Sequence, residues 1–275
     1  MKVAVIQLNS GPIKKKNIAQ SIDFILSAIK HKAEFILLPE VFNYRGRMTN
    51  IENIHCIAEP IPGDSIIPFK EIARQNKVYI LAGSIYERVK SSKKTYNTSV
   101  LINDKGIIQA TYRKIHLFDA VVNNRIIKES NSFLRGEQPT ITSIKGIKAG
   151  LSICYDVRFP ELYNNYSSKG VSLLCIPSNF TKQTGQAHWE ILLRARAIEN
   201  LCFVLAPNQT GKDERGTAAY GNSMIIDPWG KILSRGSGQR EEIIYSDIDI
   251  LSIKEYRKMM PTLKHKVLLS SVVTK

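Results

Sequence analysis

Gly150-Leu-Ser-Ile-Cys154-Tyr-Asp156-Val-Arg158-Phe-Pro160-Glu161 is an apolar strand that breaks off at a thiol and resumes as a helix at a proline. Residues 149–153 have strand composition, and Pro160 suits the first turn of a helix, where a missing N–H costs nothing. A cysteine on such a strand-to-helix elbow presents its sulfur outward and has neighbouring backbone N–H groups aimed at it, which is the logic of an oxyanion hole. Two other segments share the design: Phe35-Ile-Leu-Leu-Pro39-Glu40 and Thr111-Tyr-Arg-Lys114-Ile-His116 each run a strand directly into a reactive side chain. Layered α/β proteins gather their sites where loops leave one edge of a sheet.

Working outward from the elbow, apolar runs of strand composition recur at residues 3–8, 35–38, 78–85, 99–102, 171–176, 203–206, 223–226 and 243–248. Segments of helical period lie between several of them, with Ile18, Ile22, Ile25 and Ile29 on one stripe and Ile191, Leu192, Ala195 and Ile198 on another. Strands alternating with helices predict a layered α/β fold. The close strand spacing between residues 78 and 113 predicts antiparallel pairing, and so mixed sheets. No Ser/Pro/Gly-rich linker and no repeat divides the chain, so residues 1–275 are expected to form one domain.

Composition excludes several classes. A chain of 275 residues with 43% hydrophobic content can bury a substantial core without disulfide staples. The formal charge of +15 is the one oddity. Its runs, Lys14-Lys15-Lys16 and Lys93-Lys94, are short and come with no nucleic-acid signature, so they read as solvated faces. Only four consecutive apolar residues precede Gln7, too few for a signal peptide, and no stretch approaches the roughly 18 apolar residues of a membrane span. No membrane partner is expected. The cytoplasm is the expected location, with reduced thiols.

The four cysteines, Cys56, Cys154, Cys175 and Cys202, contain no C-x-x-C pair and offer no metal-ligand spacing. Cys175 and Cys202 lie inside apolar runs and read as small buried hydrophobes, which leaves Cys154 as the candidate nucleophile. Glu40, partly desolvated behind Pro39, is a candidate general base, although a lone Glu after a strand is ordinarily surface. Lys114 is equally ambiguous beside Arg113. A papain-like Cys-His pair is disfavoured, because none of His31, His55, His116, His188 and His265 sits in the local context of that class.

Taken together, Leu-Pro-Glu40, Tyr-Arg-Lys114-Ile-His-Leu-Phe-Asp and Ile-Cys154-Tyr-Asp-Val-Arg-Phe-Pro-Glu-Leu resemble, in order, spacing and context, the three signature segments of the nitrilase or carbon–nitrogen hydrolase superfamily. The resemblance continues through Lys-Glu129-Ser130, Pro-Ser-Asn-Phe180-Thr, Leu-Arg-Ala-Arg-Ala-Ile-Glu199-Asn and Ser-Met-Ile-Ile-Asp-Pro-Trp-Gly, and so covers nearly the whole chain. It implies a four-layer αββα sandwich, a homodimer or higher homo-oligomer, and chemistry without metal or cofactor. It also implies roles: Cys154 as nucleophile, Glu40 as general base, Lys114 as oxyanion stabiliser, Glu129 as second carboxylate, and the Tyr155 N–H completing the oxyanion hole.

Within the superfamily the chain is most similar to the branch of deaminated glutathione amidase and ω-amidase. By that resemblance Arg158, Phe180 and Thr184 fall where the branch binds the carboxylate of an α-keto substrate. The expected activity is hydrolysis of a small carboxylated amide through a thioester. An N-carbamoyl amide is a same-fold alternative, and a nucleic-acid-binding protein on a dead fold is the alternative of a different class. Two departures blur the substrate: Phe133-Leu-Arg-Gly136-Glu137 lacks the Pro-Gly pair often found there, and Tyr256-Arg-Lys-Met-Met-Pro only partly follows the branch's usual ending. Tyr155-Asp156 stands where true nitrilases carry Trp-Glu, which disfavours a nitrile substrate.

Overall fold

The computed structural model describes residues 1–47, 50–122 and 125–267. Two six-stranded mixed sheets lie face to face. The first has the order β14-β1-β2-β3-β4-β5, with β1 (Lys2–Gln7), β2 (Phe35–Leu37), β3 (Tyr79–Glu87), β4 (Tyr96–Ile102), β5 (Ile108–Arg113) and β14 (Glu242–Asp247). The second has the order β13-β12-β11-β10-β9-β8, with β8 (Thr140–Ile144), β9 (Ile147–Leu151), β10 (Leu173–Cys175), β11 (Phe203–Ala206), β12 (Met224–Ile226) and β13 (Ile232–Arg235). In each sheet three central strands are parallel, β1 to β3 and β9 to β11, and the outer strands are antiparallel.

Burial explains the pattern. Between the sheets, Val3, Val5, Phe35 and Leu37 of the first meet Ala149, Leu151, Leu173 and Leu205 of the second. The first sheet's outer face carries Ala4, Ile6, Ile36 and Ile80, covered by α1 (Lys14–Lys30) and α2 (Ile67–Asn76). The second sheet's outer face carries Leu174, Ile176 and Val204, covered by α3 (Pro160–Ser168) and α4 (Glu190–Asn200). This is the expected αββα sandwich. Central strands covered on both faces must be apolar throughout, which is why they stand out in the sequence. The edge strands β5 and β8 are half-buried and alternate with polar residues; of β5 the sequence reading marks only the end at Thr111-Tyr-Arg113, and it passes over β8.

Both helical stripes need correction. On α1 the buried line is Asn17, Ser21, Ile25 and Ala28, with Ile18, Ile22 and Ile29 only half-buried. Asn17 can face inward because it accepts from Gly11 N and donates to Gly11 O and Asn43 O. On α4 the buried side is Leu193, Arg196, Ala197 and Asn200, while Ile191 is 70% and Ile198 44% exposed. Arg196 is buried because its Nε donates to Val157 O at 2.8 Å and its Nη1 to Glu199 at 2.6 Å. A count of apolar residues cannot see a buried polar residue whose donors are satisfied.

Candidate active site

The loops that follow the central strands β2, β9 and β10, and the segment that follows the edge strand β5, converge on one cavity of about 230 Å³, whose lining includes Glu40, Lys114, Glu129, Cys154, Tyr155, Arg158, Phe180 and Thr184. All eight residues singled out from the sequence therefore meet. The two turning points at its floor are both bent into the left-handed region, with φ +52° at Val41, immediately after Glu40, and φ +49° at Cys154. For residues with a Cβ this conformation is uncommon, costs about 1–3 kcal/mol and persists only where the surroundings enforce it.

The surroundings do enforce it. After Glu40, Ser84 Oγ accepts the Val41 N–H at 3.0 Å, and Gln209 Nε2 donates to Glu40 O at 2.9 Å. Strand β3 runs so close behind that a Cβ on Gly83 would lie 1.8 Å from Pro39 O, so only glycine fits there. At the elbow, Cys154 N donates to Pro177 O at 2.9 Å. Asp156, fully buried, accepts Ile153 N at 2.8 Å and the Tyr112 hydroxyl at 2.7 Å through Oδ2. Its Oδ1 takes His116 N at 3.0 Å and bonds to His116 Nδ1 at 2.7 Å. One carboxylate thus ties the Cys154 turn to the strand and loop that carry Lys114.

Lys114, 1% exposed, sits between two carboxylates: its Nζ is 3.1 Å from Glu40 Oε1 and 3.1 and 3.0 Å from the two oxygens of Glu129. Burial works against the ammonium, but Glu129 and Glu40 outweigh it and hold Lys114 well above the ordinary lysine range. Glu129 opens a one-turn helix after a small hairpin, β6 (Asp119–Val122) with β7 (Arg125–Lys128), and Phe118 N donates to its Oε2 at 2.7 Å. Asn97 Nδ2 donates to Glu40 Oε1 at 2.9 Å. Lys114 and Asn97 are both on Oε1, and the Glu40 carboxylate is also hydrogen-bonded to the Cys154 thiol. Burial first, then the Glu40 carboxylate, push the Cys154 thiol well above the usual cysteine range, against the opposing pull of Lys114 and the Asn179 N–H.

Tyr155 stands in the first turn of a 3-10 segment spanning Cys154–Arg158, where an N–H has no intrahelical partner. Arg158 has no carboxylate partner among the described residues. Its guanidinium lies 3.2 and 3.3 Å from His188 Nδ1 and over the rings of Tyr155 and Phe180. Thr184 Oγ1 shares a hydrogen bond with Thr181 Oγ1 at 2.9 Å. Sequence reasoning missed Asn97, Asn179 and the binding role of Asp156 and His116. Asp156 and Asn179 both stood in quoted motifs, and the signal of Asp156 was a short acid two residues past a cysteine on a strained turn; nothing in the sequence marks Asn97.

An αββα frame that brings a buried lysine, two glutamates and an elbow cysteine to one cavity defines a cysteine-dependent hydrolase of carbon–nitrogen bonds. The chain belongs to the carbon-nitrogen hydrolase family, whose model matches residues 2–258. It is 37% identical over 266 residues to mouse omega-amidase NIT2, covering 96% of this chain and 94% of the relative. It is 36% identical over 270 residues to mouse deaminated glutathione amidase, covering 96% and 82%. Among solved structures, Saccharomyces cerevisiae Nit3, of branch 10 of the nitrilase superfamily, superposes with a TM-score of 0.84 at 33% identity, over 95% of this chain and 94% of that one. The C. elegans NitFhit protein superposes at 0.89 and 34%, over 96% of this chain and 64% of that longer chain. The protein is an amidase of non-peptide carbon–nitrogen bonds within this superfamily.

Proposed function

We propose that this amidase hydrolyses small amides whose acyl part ends in a carboxylate, by way of a thioester on Cys154. The observation that carries the reading is that the Glu40 carboxylate holds Lys114 and Asn97 through Oε1 and is also hydrogen-bonded to the Cys154 thiol. As the Cys154 sulfur attacks the carbonyl carbon, its proton passes to Glu40. The oxyanion forms against the Lys114 ammonium and the Tyr155 N–H, donors that need not reorganise. When the carbon–nitrogen bond breaks, Glu40 returns the proton to the leaving amine or ammonia. Glu40 then takes a proton from water as it attacks the thioester, which frees the acid and restores the thiol. Glu129 keeps Lys114 charged and fixes its aim.

Arg158, on the wall beside Phe180 and Thr184, is the group that takes the substrate's carboxylate, since a guanidinium can hold it in a two-pronged fork. The names of the relatives point to deaminated glutathione and to ω-amides as substrates, and both bear such a carboxylate. A cytoplasmic location agrees with the reduced-thiol chemistry. Self-association through the outer face of α4 agrees with the exposure of Ile191 and Ile198.

The test is ammonia release from ω-amides of α-keto acids alongside neutral amides of equal length. A preference for the carboxylated amides that vanishes with Cys154→Ala supports the reading. Equal turnover of neutral amides, or full turnover by Cys154→Ala, contradicts it.

A further inference from the structure

The lysine and both glutamates of the cavity floor are tied to one short stretch, residues 95–97, where the chain enters β4. Thr95 N donates to Ser132 O at 3.2 Å and Thr95 O accepts Leu134 N at 2.8 Å, which holds the chain just after Glu129. Asn97 O accepts Lys114 N at 2.9 Å, and Asn97 Nδ2 donates to Glu40 Oε1 at 2.9 Å. One asparagine thus holds the backbone of Lys114 and the side chain of Glu40.

Asn97 is 4% exposed and lines the cavity with Tyr86, its partner across the β3–β4 pair. Its Oδ1 is buried and has no hydrogen-bond partner among the described residues. An unpaired buried acceptor costs stability, so an apolar side chain of the same shape would suit the strand better. What the amide adds is one N–H directed at Glu40. Lys114 alone does not fix that carboxylate. Its ammonium is divided between Glu40 and both oxygens of Glu129, and it acts as a point charge that sets distance more than rotation. A second donor on the same oxygen, arriving from β4, fixes the carboxylate's plane. The Cys154 thiol bonds to that same carboxylate, so the plane decides whether the proton has an acceptor in line.

We propose that Asn97 is a positioning residue of the reaction, turning the Glu40 carboxylate so that it can take the thiol's proton and deliver it to the leaving nitrogen. This rests on the reading of Glu40 as the base. The second transfer makes the greater demand. As the carbon–nitrogen bond breaks, its electron pair goes to nitrogen, which must take a proton to leave, whereas a thiolate leaves without one.

The test compares succinamic acid with the mono-S-ethyl thioester of succinic acid, which has the same acyl part. Asn97→Leu removes the donor at nearly constant volume. It should lower kcat/KM for the amide by about 10- to 100-fold, the scale of a hydrogen bond to a charged group, and for the thioester by no more than about threefold. Calorimetric binding of succinamic acid to Cys154→Ala protein should be the same with and without Asn97→Leu, which assigns the loss to kcat. Asn97→Ser, whose hydroxyl can donate on a shorter arm, should recover part of it with the same imbalance between substrates, and it decides the outcome should Asn97→Leu fail to fold. Equal falls for amide and thioester would make Asn97 a strut of the fold and overturn the proposal. No fall, or weaker binding with kcat unchanged, overturns it as well. Butyramide and S-ethyl thiobutyrate give the same comparison if the preference for carboxylated amides is absent. Glu40→Gln separates this role from the reading beneath it. If that variant keeps its amide rate, the base reading fails; a dead Glu40→Gln beside an unimpaired Asn97→Leu sinks the role of Asn97 alone.

Discussion

The floor of the cavity and its walls handle charge in opposite ways. On the floor every ionisable group is matched, with Lys114 held between Glu40 and Glu129, and Glu40 held further by Asn97. On the walls Arg45 and Arg158 meet neutral partners, carbonyl and amide oxygens for the first and an imidazole nitrogen and two rings for the second. Matched charges are fixed in place before substrate arrives, as transition-state stabilisation requires. A cation on neutral partners can still take a ligand's carboxylate, the role proposed for Arg158. The floor should therefore govern whether any amide reacts, and the walls which one.

The largest effect should come from the floor. Glu40→Gln keeps the side chain's shape and can still bond Lys114, but it cannot take the thiol's proton, so kcat should fall by about 10²–10⁴ for every amide alike. Intact-mass measurement after mixing with substrate should find no thioester on this variant. A fall confined to carboxylated amides would move Glu40 from the floor to the walls.

The floor also predicts an alkaline limit. The thiol of Cys154 and the ammonium of Lys114 are both raised in the folded chain, so each keeps a proton that the unfolded chain releases. The stability that these two groups contribute is therefore fully present and constant below about pH 8.5. It falls as pH climbs first through the ordinary thiol range and then past about 10.4, the ordinary lysine value, towards their folded values. Glu129→Gln removes the largest support of the Lys114 charge, and denaturant midpoints from pH 8 to 11 should lose part of their downward slope in that variant. An unchanged slope would mean that Lys114 is not the group responsible.

How much of this could be read beforehand follows the same division. Glu40 and Cys154 are legible because each follows an apolar central strand, and central strands buried on both faces are plain in sequence, whereas Lys114 ends the half-buried edge strand β5 and is singled out by its motif. Glu129 came only through family resemblance, since it follows a short half-exposed hairpin that has no apolar signature. Arg45 was invisible among 39 Lys and Arg residues, because nothing local separates a buried guanidinium from a solvated one. The faces of α1 and α4 were misjudged for a related reason: Asn17 and Arg196 are buried by virtue of their partners, not their polarity.

On the walls, Arg158→Lys should lower kcat/KM for carboxylated amides by roughly one to three powers of ten and change neutral amides less, since a lysine cannot reproduce the fork. The competing role, bracing the elbow against Asp156 or Glu161, has little support in the geometry. Asp156 spends its oxygens on Ile153, Tyr112 and His116, and no bond joins Arg158 to Glu161 among the described residues. Equal losses for neutral and carboxylated amides in a side-by-side comparison would nonetheless restore it.

The smallest effect on turnover should come from outside the cavity altogether. Ile191 and Ile198 lie seven residues apart, two turns along the outer face of α4, and Trp229, 47% exposed, stacks on Tyr256 beside them in the chain's folded order, where Gly230 packs against Ile198. Apolar side chains collected on one face are costly to leave in water and are commonly covered by a partner. If that partner is a second copy, the protein should sediment at twice its 31.0 kDa chain mass. Ile191→Glu should then bury a charge in the contact and shift the equilibrium to the single chain, with kcat/KM changed by no more than about threefold, because none of these residues reaches the cavity. A variant that stays double in mass would place the contact elsewhere. One that becomes single and loses activity by a hundredfold would show that the partner copy steadies the floor, and would erase the separation between frame and chemistry drawn above.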